Sequence, residues 1–144
     1  MENEINIIEA PDFGRKRIGV LCLEGLETFI KPIVLHLEQK YDVRTYFGNS
    51  MQEAVSIVDF CDCLWIEWMN ELAVELSTKV PQLKDKKVII RCHSYEALNN
   101  YAKFIDWSKI DSLLFVANHV KDLVCKTIPQ LPNFVKIEVV PNGV

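Results

Sequence analysis

Arg17-Ile18-Gly19-Val20-Leu21-Cys22-Leu23 is a continuous apolar run that closes on Glu24-Gly25. A short run without alternation is the pattern of a strand buried on both faces, as in a parallel sheet. The period then changes. Leu26, Phe29, Ile30, Ile33, Val34 and Leu37 recur at helical spacing and make one apolar stripe. Pro32 sits inside that stripe, and a helix-interior proline costs about 3 kcal/mol. The conflict disappears with Thr28 as N-cap, because the first four helical N–H groups have no partner in any case. The spacing therefore predicts a first helix from Thr28 to about Lys40.

The alternation repeats along the chain. Asp42 to Phe47 reads as a strand closed by Gly48-Asn49, and Ser50 caps a short helix carrying Met51, Ala54, Val55 and Val58. Cys61 to Glu67 is a third strand, followed by a helix from Asn70 to Val80 with Leu72 and Leu76 inward. Lys87 to Cys92 is the fourth strand, and a helix from Ser94 to Ile105 follows. Ser112 to Val116 is the fifth strand, Asn118 caps a helix with Val120, Leu123 and Val124, and Lys136 to Val140 is the sixth. Strands alternating with helices predict an α/β fold, a doubly wound, Rossmann-like parallel sheet with helices on both faces. The commonest strand order for that fold is 3-2-1-4-5-6. Residues 1–16 read as an N-terminal arm, with a short edge strand at Ile5-Asn6-Ile7-Ile8, and residues 17–144 as one domain.

Composition narrows the function classes. With 144 residues, 49% of them hydrophobic and 25% charged, the chain suits a single globular domain. Its formal charge of −4 argues against nucleic acid as a partner. No apolar run approaches the roughly 18–20 residues that span a bilayer, and the acidic start is unlike a secretory signal, so a cytoplasmic location is expected. The five cysteines, Cys22, Cys61, Cys63, Cys92 and Cys125, are scattered without metal-ligand spacing and read as small hydrophobes. No metal and no cofactor is expected. Lys79, Lys84, Lys86, Lys87 and Arg91 form a basic cluster that would suit an anionic membrane surface, although such clusters are more often solvated faces.

In the order 3-2-1-4-5-6, strands one and four flank the point where the winding reverses, and ligands bind outside the strand ends there. Two loops become candidates: Glu24-Gly25-Leu26-Glu27-Thr28 and His93-Ser94-Tyr95-Glu96. His93 is suited to hydrogen bonding or acid–base work near neutral pH, or to tethering a loop. Glu96 either orients His93 or completes a capping box. Familiar templates fail. The loop after strand one has Gly25 but no Gly-x-Gly-x-x-Gly, and no phosphate-binding Gly-Lys-Ser/Thr occurs. A response-regulator receiver would match Glu24 and Glu67 as carboxylates, but Asn118 stands where it needs lysine.

The second half resembles a known family. Val88-Ile89-Ile90-Arg91-Cys92-His93-Ser94-Tyr95-Glu96, then Ile110 to His119, then Val139-Val140-Pro141-Asn142-Gly143-Val144, is similar to the N-terminal domain of a family 4 type, GT-B fold glycosyltransferase. The resemblance implies that His93 hydrogen-bonds a hydroxyl of the transferred sugar and that the loop around Gly25 lines the acceptor side. It implies a nucleotide-sugar donor shared with an absent C-terminal domain beyond the Asn142-Gly143 hinge, and a sugar, glycan or glycolipid acceptor. A homodimer through the exposed interdomain face and a peripheral membrane association are compatible with it. Glu24 and Glu27 depart from the paired glycines common in that loop. They would repel a diphosphate and suit acceptor hydroxyls instead. The candidate site residues are thus His93 for catalysis and Glu24, Gly25, Glu27, Ser94, Glu96 and Asn118 for substrate. The alternative is a non-enzymatic Rossmann-like binding or interaction module.

Overall fold

The computed structural model describes residues 15–141. Six strands form one all-parallel sheet: β1 (Arg17–Cys22), β2 (Asp42–Phe47), β3 (Cys63–Glu67), β4 (Lys87–Cys92), β5 (Ser112–Phe115) and β6 (Lys136–Val139). The helices between them are α1 (Lys31–Leu37), α2 (Met51–Phe60), α3 (Glu71–Lys79), α4 (Tyr101–Phe104) and α5 (Asn118–Thr127). This is the expected α/β architecture, with helices on both faces of the sheet. The proposed edge strand at Ile5–Ile8 and the Asn142-Gly143 turn lie outside the described residues.

The strand order is 2-1-3-4-5-6 rather than 3-2-1-4-5-6. The cause lies in β2. Asp42, Arg44 and Thr45 are exposed, and Arg44 lays its guanidinium over the Phe60 ring at 4.1 Å. Such a strand suits a sheet edge, where charge also discourages pairing with other chains. In β3, Leu64, Ile66 and Glu67 are fully buried, so β3 belongs in the interior and steps over β1 to its far side. The winding therefore reverses between β1 and β3, not between β1 and β4.

Local details differ from the sequence reading for identifiable reasons. Helix α1 starts three residues later than expected, after a turn in which Ile30 and Lys31 N–H both donate to the Glu27 carbonyl at 3.2 Å. Pro32 thereby occupies the first helical turn, where it breaks no bond. The expected helix from Ser94 to Ile105 is split into a 3₁₀ turn at Tyr95–Leu98 and the single turn of α4, interrupted at Asn99-Asn100. Asn118 opens α5 as its first residue and does not cap it, Ala117 being the N-cap. Ser50 and Asn70 do cap α2 and α3, accepting from Glu53 and Leu72 N–H.

Two apolar cores flank the sheet. The larger joins α2, α3, α4 and α5 to Leu21, Leu64, Ile66, Val88, Ile90, Leu113 and Phe115. The smaller places Ile30, Val34 and neighbours from α1 on Ile18, Val20 and Trp65. No helix among the described residues is long and apolar enough to cross a membrane. Gly19 lets α2 approach closely, since a β-carbon there would lie 2.6 Å from Ile57 Cγ2 and 3.2 Å from Cys61 Sγ. Gly19→Ala should therefore lower the urea unfolding midpoint, with an overpacking cost of about 1–3 kcal/mol. Burial pushes the Cys22 thiol up to about 12 and the Cys61 thiol up to about 11. Both should resist an aromatic disulfide reagent at about pH 8 in the native chain and react once urea unfolds it, because the thiolate is the nucleophile.

Candidate functional site

Glu67 ends β3 and pairs in register with Arg91 of β4. Alternation along β4 puts Arg91 and His93 on one sheet face, and the same alternation along β3 puts Trp65 and Glu67 there. All four meet at the Glu67 carboxylate, which is fully buried. Its Oε1 accepts from Trp65 Nε1 at 2.8 Å and Arg91 Nε at 3.1 Å. Its Oε2 accepts from Arg91 Nη2 and lies against His93 Nε2, both at 2.7 Å. Burial alone would raise the Glu67 pKa. The hydrogen bonds from His93, Arg91 and Trp65 outweigh it and hold the carboxyl below its ordinary value. An ionised carboxylate only accepts, so His93 Nε2 carries the proton in this contact.

The His93 ring sits in an aromatic cluster. Trp68 stacks on it with ring centroids 3.8 Å apart, and the Phe29 ring lies 5.2 Å from it and 6.2 Å from Trp68. Trp68 has φ of 81°, a left-handed conformation that a bulky side chain rarely adopts. Several bonds hold it there. Its N–H extends the sheet to the Arg91 carbonyl at 2.8 Å, and its indole donates to the Leu26 carbonyl at 2.8 Å. Such strain tends to collect at functional sites. Arg91 Nη2 also reaches the Phe29 carbonyl at 3.3 Å, tying the loop after β1 to the same cluster.

The expected site residues are distributed unevenly. His93 is 4% exposed and does not face solvent. Glu96 is fully buried, and its carboxylate accepts from the backbone N–H groups of Met69, His93 and Ser94 at 2.9–3.1 Å. It braces two loops and is not presented to a ligand. Glu27 accepts from Gly25 N–H at 2.9 Å, closing a turn that Gly25 enters with φ of 88°. Glu24 and Ser94 are exposed at the sheet's carboxyl edge, and Glu24 meets Asn49 at 3.5 Å. Asn118 is exposed too, but it follows β5, two strands beyond β3.

A cavity of about 360 Å³ opens at the same edge, lined by Leu23, Asn49, Ser50, Met51, Glu71 and Glu75 among others. None of the expected site residues lines it. Sequence reasoning also missed Trp68, Phe29 and the joining of Glu67 to Arg91. One signal was legible, since an arginine inside Val88-Ile89-Ile90-Arg91-Cys92 needs a buried partner. Among the described residues, no group of three or more His, Cys, Asp or Glu side chains converges as a metal would require.

Replacing Glu67 by glutamine leaves Arg91 buried without its counter-charge, and Glu67→Gln should cost about 3–5 kcal/mol at neutral pH. The folded carboxyl sits below the ordinary value of 4.5, so its stabilisation is complete above that value and drains away as pH falls through the lower folded one. Urea unfolding followed from neutral pH to below 4.5 should show the native chain losing stability over that acid range and the variant losing less. No family model, curated protein or solved structure matches the chain.

Proposed function

We propose that this chain is the acceptor-binding half of a glycosyltransferase, with the nucleotide part of the donor held by a separate domain. The observation that carries this reading is the chemistry of the sheet's carboxyl edge. The loops at residues 23–30, 48–50, 68–70, 93–100 and 116–117 contain no lysine or arginine. They offer Glu24, Thr28, Asn49, Ser50 and Ser94 instead, with the half-exposed aromatic rings of Phe29 (48%) and Tyr95 (40%). A diphosphate is best held by cationic donors, which these loops lack. The one side-chain-uncapped N-terminus of a longer helix at this edge, that of α5 after Ala117, lies two strands away from β3. Carboxylates, amides and hydroxyls beside exposed rings suit sugar hydroxyls and the apolar faces of sugar rings. The 360 Å³ cavity bounded by Asn49, Ser50, Glu71 and Glu75 falls in the size range of small-molecule sites.

His93 takes part in this reading as the group nearest the transferred sugar. His93 is 4% exposed, so contact requires its aromatic neighbours Trp68 and Phe29 to shift. The burial of the Glu67–Arg91–His93 cluster favours a second reading, in which the cluster is purely a brace and the chain is a non-enzymatic binding module.

Titration with neutral mono- and disaccharides, followed by amide NMR shifts, tests the proposal. Perturbed amides should cluster at Gly25, Asn49, Ser50, Glu71 and Tyr95. Asn49→Ala should weaken binding about fivefold, the loss of one net hydrogen bond of about 1 kcal/mol. A panel in which no saccharide moves these amides overturns the acceptor-binding reading. The enzymatic part is tested separately, by nucleoside diphosphate release from sugar nucleotides when a donor domain is joined. A folded His93→Ala variant should then release much less.

A further inference from the structure

The cavity at the carboxyl edge has a one-sided hydrogen-bonding chemistry. Glu71 and Glu75 line it from α3, one helical turn apart, and Asn49 and Ser50 line it from the loop after β2. The two carboxylates only accept. The Asn49 amide nitrogen is turned toward Glu24 Oε1 at 3.5 Å, which leaves the amide oxygen for other donors. Ser50 Oγ already accepts the capping bond from Glu53 N–H at 3.3 Å. Among the described residues the lining holds no lysine, arginine or histidine.

The chain neutralises this wall only in part. Carboxylates one turn apart repel each other. Glu71 is eased by its place in the first turn of α3. Glu75 has Lys79 at 3.1 Å, but the lysine side chain is 65% exposed, and such surface pairs are weak. The negative field reaches the neighbouring rings. Burial, then the Glu96 and Glu71 carboxylates, push the Tyr95 hydroxyl above its ordinary value, and burial and Glu71 do the same to Tyr101. A sugar hydroxyl donates once and would leave most of these acceptors unused, whereas an ammonium donates three times and accepts nothing. A metal ion is a poorer complement, since no three His, Cys, Asp or Glu side chains converge among the described residues.

We propose that the acceptor taken by this cavity is an amino sugar, its protonated amine held by Glu71 and Glu75 and its neighbouring hydroxyls by Asn49 and Ser50. This inference rests on the acceptor-binding reading and adds to it the charge of the ligand.

Amide NMR titrations of the full chain with glucosamine, glucose and N-acetylglucosamine test it, in mildly acidic buffer that keeps the glucosamine amine protonated. The three differ at one ring substituent, and only glucosamine is charged. Glucosamine should half-saturate the shifts of Asn49, Ser50, Glu71 and Glu75 at a concentration about tenfold below that of glucose, the gain expected when neutral hydrogen bonds become charge-assisted. N-acetylglucosamine should do no better than glucose, and added salt should weaken glucosamine alone. In a Glu71→Gln/Glu75→Gln variant, with the Val20 and Leu113 amides reporting an intact fold, the preference for glucosamine should disappear. Equal half-saturation by glucose and glucosamine overturns the amine proposal and leaves the acceptor-binding reading standing. A preference that survives in the double variant overturns it as well, and so does ethanolamine binding as tightly as glucosamine. If none of the three sugars moves these amides, the proposal and the acceptor-binding reading fail together.

Discussion

A carboxylate without water has to be surrounded, and Glu67 is surrounded by four donors drawn from two adjacent strands and the loop after the second. That requirement organises much of the carboxyl half of the sheet. It holds β3 and β4 in register, because a slip of one residue would turn Glu67 into the large apolar core. It commits Arg91 to a buried position, and the guanidinium then grips the Phe29 carbonyl. It also fixes the proton on His93 Nε2 and with it the orientation of the ring. Desolvation opposes such a cluster, so its worth lies in specifying one arrangement more than in net stabilisation.

Around this cluster the loops divide into a rigid part and a solvated part. Glu96 gathers three backbone N–H groups from the loops after β3 and β4, and Trp68 accepts a strained backbone that its indole hydrogen bond and its stacking on His93 offset. Outside them, Glu24, Asn49, Ser50 and Tyr95 remain available to solutes. A rigid interior under a polar rim is well suited to recognising hydroxyl groups by position, since the supporting side chains do not have to be ordered at the moment of binding.

Periodicity alone identified all six strands and the existence of the intervening helices, because burial on two faces and burial on one stripe leave different patterns in the chain. It carried no lateral information, so strand order was the part that failed. The polar residues Asp42, Arg44 and Thr45 did mark β2 as an edge, which counts against an order that places β2 inside the sheet. The helix expected after His93 failed for another reason. Asn99 turns its side-chain amide back on the Tyr95 carbonyl at 3.0 Å, taking the acceptor that a continuing helix would offer its backbone N–H, a competition that apolar spacing does not register. At the site, His93 was legible from its place after an apolar strand. Trp68 and Phe29 were not, since a left-handed backbone and a ring stack arise only once distant segments meet.

The strand order also bears on how the chain reaches this structure. From β3 onward each strand docks beside its immediate predecessor, so the sheet grows outward in sequence order. The pairing of β1 with β3 is different, because Ile18 meets Cys63 across about twice the chain separation that joins Cys63 to Lys87. Each doubling of loop length adds only about 0.6 kcal/mol of closure entropy, yet here the longer loop must also hold β2 and α2 aside while it closes. Assembly of β3 to β6 is therefore the local, rapid portion of folding. Capture of the β1–β2 pair is the long-range step that completes the sheet.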